Sequence, residues 1–137
     1  MLTVKPFLTA ILIAVALPAA GAEARPSMRD VPEIEDGLFA VAIADKVRDE
    51  CSSISARMLR AYMMLQRLKS RANELGYSDE EIRAYVESDT EKARMRAKGE
   101  AFLIRNGVAL DNPASFCDFG HREIAKNSAI GALLRAK

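Results

Sequence analysis

Cys51 and Cys117 are the only cysteines in the chain, and they stand 66 positions apart behind an amino-terminal apolar run. Two cysteines with none left over, downstream of an export-type leader, read as one disulfide formed in an oxidising compartment. Such a bridge ties an early segment to a late one. In the chain-entropy picture it removes on the order of 4 kcal/mol of unfolded-state freedom, a large share of a small domain's stability.

The leader has one positive charge, Lys5, then an apolar stretch over residues 7–20, then Ala20, Gly21 and Ala22. A basic start, an apolar core of this length and small residues at the cleavage positions describe a secretory signal peptide over residues 1–22. Ala22 and Ala24 frame a second cleavage position in the same small-x-small pattern. A membrane anchor is the competing reading, but the run is broken by Pro18 and falls short of the roughly 20 residues a spanning helix needs. No cysteine at the cleavage point offers itself for lipid attachment.

Removing residues 1–22 leaves 115 residues with 19 Lys plus Arg and 19 Asp plus Glu. That length suits one domain, and the balanced charge argues against nucleic acid, whose phosphates call for a cationic surplus. Residues 23–32 contain two prolines and few apolar side chains, so they are expected to be an extended leader ahead of a single helical domain over residues 33–137.

Within that domain the apolar spacing is helical throughout. Phe39, Ile43, Val47 and Cys51 recur every four residues and predict a helix over residues 34–50. Ser52 and Ser53 offer side-chain acceptors for a fresh start, so a second helix is expected from there to Leu75. Along it Ile54, Met58, Ala61, Leu65, Leu68, Ala72 and Leu75 alternate at spacings of four and three, the seam of a bundle helix. Gly76 ends it, and Ser78 with Glu81 makes a capping box for a short helix over residues 79–87. Ser88 and Asp89 cap a charged helix over residues 90–106 that Gly107 ends. Asp111, Asn112 and Pro113 start another helix carrying Phe116 and Cys117, and Ser128 caps a last turn or two with Ile130, Leu133 and Leu134. No alternating strand stands out. The expected fold is all-α: a small bundle of four to six helices stapled by one disulfide.

Chemistry is sparse. There is no Gly-x-Ser-x-Gly turn, phosphate loop, Cys-x-x-Cys pair or haem attachment motif. His121 falls four residues after Cys117, a spacing that paired metal ligands use, yet one thiolate and one imidazole make half a zinc site and a bridged sulfur cannot ligate as thiolate. No catalytic, cofactor or metal residue is assigned. Arg57, Arg60, Arg67 and Arg71, with Met64 filling the gap, form a row away from the seam, and Lys92, Arg94, Arg96 and Lys98 form a second basic cluster. A solvated face balanced by nearby carboxylates is the plain reading. Contact with acidic headgroups or an acidic partner protein is the alternative. Met58, Met63, Met64 and Met95 suit cores and adaptable interfaces better than copper.

The segments Gly76-Tyr77-Ser78-Asp79-Glu80-Glu81-Ile82, Glu91-Lys92-Ala93-Arg94-Met95-Arg96 and Ile124-Ala125-Lys126-Asn127-Ser128-Ala129-Ile130-Gly131, with the two cysteines, resemble a domain family of unknown function found in short exported alphaproteobacterial proteins. The resemblance runs from about Val31 to the carboxyl end. It implies an exported, helical, cysteine-bridged protein and carries no site onto any position. The functional expectation is a non-enzymatic periplasmic binding or accessory protein presenting helical surfaces to an envelope or membrane-complex partner. The alternatives are a small hydrolase or lyase using carboxylates and His121, or a metal or redox sensor built on Cys117 and His121.

Overall fold

Pro32 occupies the first turn of α1, Pro32–Glu50, where its missing N–H costs nothing and its fixed φ suits the helix. A computed structural model describes residues 25–137, so the expected signal peptide lies outside the described residues. α1 is the central element: Ile34, Ala40, Ile43, Ala44 and Val47 are buried along it, and α2, α4 and α5 all pack on it. Five α-helices are present among the described residues: α1, α2 (Met58–Glu74), α3 (Asp79–Glu87), α4 (Asp89–Arg105) and α5 (Pro113–Lys126).

The helix ends follow their sequence signals. Ser78 Oγ accepts from the Glu81 N–H while Glu81 accepts from the Ser78 N–H, a complete capping box. Ser88 caps α4 through the Glu91 N–H, and Asn112 caps α5 through the Ala114 N–H. Gly76 and Gly107 take left-handed φ values of 97° and 85° just past α2 and α4, where an L side chain would be strained.

Three expectations need correction. The second helix does not begin at Ser52 and Ser53: those residues turn, Ile54–Ala56 forms strand β1, and α2 starts only at Met58. A strand exists after all, because β1 pairs antiparallel with β2, Leu134–Ala136, in the register Ile54 to Ala136 and Ala56 to Leu134. The pairing continues through Arg57 N–H to Leu133 O and Lys137 N–H to Ser53 O. Ile54 is thereby removed from the α2 seam and fully buried in the core. The described part of residues 23–32 is not an extended leader. Met28–Asp30 forms a 3-10 turn with Met28 buried, the Tyr77 hydroxyl donates to Pro26 O, and Arg25 pairs with Glu81.

Cys51 and Cys117 are bonded, with Cα atoms 5.2 Å apart, joining the end of α1 to the first turns of α5. Around the bridge lie Val47, Ile54, Phe116, Phe119 and Leu134, all essentially fully buried. Phe39, Phe102 and Phe119 continue the core as successive edge-to-face pairs at 5.2 and 6.0 Å. A smaller cluster of Met28, Ile34, Ala72 and Tyr77 closes the opposite end. Small residues set the close approaches. A Cβ on Gly120 would lie 2.5 Å from Ile54 Cδ1, and one on Gly37 would lie 2.8 Å from Leu68. The all-α, disulfide-stapled architecture is therefore realised, with one small sheet added.

Candidate interaction surface

The members of the arginine row differ in what they engage. Arg57 Nε donates to Leu134 O at 3.0 Å, and Arg60 Nη1 donates to Ala132 O at 3.1 Å, so both clamp the carboxyl-terminal segment. Arg71 binds Glu33 at 2.8 Å and Glu74 at 3.1 Å, and the Glu33 carboxylate beside it raises its pKa further. Met64 is half-buried against the main core. Arg67 is exposed and has no carboxylate within ion-pair distance among the described residues. Three of the five positions thus hold the fold together, one is core and one is solvated.

The seam on the other side of α2 is incomplete in a telling way. Ala72 is buried and Ala61 and Leu68 are half-buried, which joins α2 to α1. Toward the amino-terminal end the apolar residues face water: Met58 is 67% exposed, Leu59 73%, Tyr62 60% and Met63 51%. At positions i, i+1, i+4 and i+5 they share a face and make one patch over the first two turns. Sequence periodicity counted Met58 into the seam and passed over Leu59 and Tyr62. The usable signal was that apolar residues cover more of this helix's circumference than one packing stripe needs.

A concave feature lies between α1 and α4, a groove of about 550 Å³ lined by Leu38, Ile43, Met95, Gly99 and Leu103 among others. Its rim charges are largely engaged within the fold. Arg48 bridges Asp45 and Asp49, and Lys46 bonds Glu50. Behind it buried Glu35 receives both Arg94 Nη atoms and Lys98 Nζ, each at 2.9 Å, while Arg94 Nε reaches Glu91. These bonds, Arg94 first, hold the Glu35 carboxyl below the ordinary glutamate range in spite of its burial. Arg94 also donates to the Tyr85 hydroxyl, so one guanidinium joins α1, α3 and α4. Every strong acceptor there already has its donors, so the network ties the three helices together.

His121 is exposed on α5, away from the residues that line the groove, and Cys117 beside it is in the disulfide. Among the described residues no three His, Cys, Asp or Glu side chains converge as a metal site, and no helix is long and apolar enough to cross a membrane.

Fold and surface define a small all-α, disulfide-bridged protein whose unusual feature is an uncovered apolar helix face. The profile of the family of unknown function DUF5333 matches residues 26–135, and the chain belongs to that family. No curated protein and no solved structure matched it.

Proposed function

We propose that this chain is an exported, non-enzymatic accessory protein that binds a component of the cell envelope through the exposed face of α2. One observation carries the reading: Met58, Leu59, Tyr62 and Met63 stand more than half exposed side by side on a body whose other large side chains are mostly packed. A contiguous apolar patch on a small soluble-type domain is costly to leave in water and is characteristic of contact surfaces. The leader over residues 1–22 and the buried bridge support a site of action outside the cytoplasm, where disulfides persist.

The test is site-specific photo-crosslinking in intact cells, with the crosslinker at Leu59 or Tyr62 and at Asp118 on α5 as control. Adducts in the envelope fraction from the two α2 positions, and none from Asp118, are expected. Equal yields from all three positions, or a chain recovered uncleaved from the cytoplasm, would overturn the proposal.

A further inference from the structure

Formal charge balance conceals a separation that the fold creates. Residues 51–73 contain Arg57, Arg60, Arg67, Lys69 and Arg71 and no acidic residue, and residues 124–137 contain Lys126, Arg135 and Lys137 and again none. The rest of the described chain carries eleven Lys plus Arg against eighteen Asp plus Glu. Pairing of β1 with β2 brings the two acid-free segments together, and Arg57 and Arg60 fasten the second to the first turn of α2. Around the strand pair Arg57, Arg60, Arg135 and Lys137 therefore gather into a cationic pole, and the exposed patch of Met58, Leu59, Tyr62 and Met63 begins beside it on the first turns of α2.

The amino-terminal turn of α2 reinforces this. It has no acidic residue and no side-chain cap, so the positive end of the helix dipole adds to the arginines instead of being neutralised. Among the described residues Arg57, Arg60, Arg67, Arg135 and Lys137 have no carboxylate within ion-pair distance, whereas Lys69, Arg71 and Lys126 do.

We infer that this pole is a docking surface for an anionic lipid bilayer, the inference resting on the reading that the α2 face is the protein's contact surface. Charge complementarity selects the occupant. A second copy would set the five cations without ion-pair partners against another five, which like-charge repulsion disfavours. The patch covers on the order of a few hundred Å², short of the roughly 800 Å² per partner that a stable protein interface takes. A convex helix face of Met, Leu and Tyr set beside arginines and lysines matches helices that lie in the headgroup layer, apolar side chains inserted and cations on the anionic surface. The clamp on the carboxyl-terminal segment gives Arg57 and Arg60 a local role too, but their charge still contributes to the field.

The experiment is co-sedimentation of the full chain, expressed with its leader so that any processing occurs, with vesicles of phosphatidylcholine alone or with phosphatidylglycerol added. Binding to the anionic vesicles is expected to exceed binding to the neutral ones at least tenfold and to fall as salt rises. Neutralising each cation should cost roughly fivefold in partitioning, so the triple variant Arg67→Gln/Arg135→Gln/Lys137→Gln should lose on the order of a hundredfold. Leu59→Ser/Tyr62→Ser should lose at least tenfold through lost insertion. All substituted side chains are exposed, and unchanged circular dichroism and melting confirm that the variants fold. Equal binding to both vesicle types, or a triple variant that binds like the parent, overturns the lipid assignment. So does crosslinking from Leu59 and Tyr62 to a protein in place of lipid, a result that would leave the α2 face as contact surface intact.

Discussion

Reducing the Cys51–Cys117 bridge should weaken the fold by an amount that loop length sets. The bridge closes 66 residues and joins the end of α1 to α5, the two elements between which most of the core is built. The chain-entropy relation gives on the order of 4 kcal/mol for a loop of that size. Against the 5–15 kcal/mol of a typical domain, reduction removes between about a quarter and most of the stability. Two perturbations separate cross-link from packing. In the reduced wild-type chain both sulfurs stay in place, so urea unfolding with and without reductant reads the cross-link itself. In the Cys51→Ala/Cys117→Ala variant the sulfur volume is also lost, and Cys51, 1% exposed, leaves a small cavity. The variant should therefore be less stable than reduced wild type by roughly 1 kcal/mol. The urea slope should rise on reduction, since the uncrosslinked ensemble exposes more surface. Oxidised and reduced proteins unfolding within about 1 kcal/mol of each other would refute the reasoning.

Glu35→Gln removes the charge that Arg94 and Lys98 converge on. Breaking a buried pair costs about 3–5 kcal/mol, but Arg94 and Lys98 are 28% and 41% exposed, so we expect about 2 kcal/mol at neutral pH by denaturant unfolding. The folded Glu35 carboxyl titrates below its unfolded value, so its stabilisation is complete above the unfolded pKa near about 4.3 and is lost as pH falls through the folded pKa. The acid limb of the stability profile should accordingly be shallower in Glu35→Gln than in wild type. Gly131→Ala places a Cβ 1.9 Å from the Glu123 carbonyl oxygen, a backbone atom that cannot rotate away; a loss of at least about 3 kcal/mol is expected in thermal melts. Ser78→Ala removes the capping box of α3 and should cost about 1 kcal/mol, read by hydrogen exchange across residues 79–87.

The helix ends were legible because their causes are local. A capping side chain, a Pro at the first position and a glycine past the last turn act within a few residues, so Ser78, Ser88, Asn112, Gly76 and Gly107 announced α3, α4 and α5 directly. The bridge was legible by elimination, there being two cysteines and no more. The sheet was not. β1 and β2 have three residues each, too few to display alternation, and their pairing joins positions 80 apart, so Ile54 looked like the first apolar residue of a helix seam. The α2 stripe failed for a related reason: periodicity reports which side chains share a face, not whether another element covers it. Near Ala72 α1 supplies the cover, and near Met58 no described element does. The partners of the arginine row were hidden for the same reason, because Glu33, Ala132 and Leu134, which engage three of its members, are remote in sequence.

Neutral composition argued against a strong field, and that inference fails when opposite charges are sorted along the chain rather than mixed. An acid-free run of 23 residues in the middle and another of 14 at the end would matter little if the fold separated them. Two three-residue strands join them instead, so the electrostatics of the surface depend on the element that was hardest to foresee. The same pairing buries Ile54 and Leu134 beside the disulfide, which links the integrity of the cationic pole to that of the core. Loosening β2 would release Arg135 and Lys137 from the pole and free Arg57 and Arg60 from their carbonyl partners together. The apolar patch on α2 would then keep its exposure and lose the arranged charge beside it, so breaking the strand pair should weaken the salt-sensitive part of binding and leave apolar insertion in place.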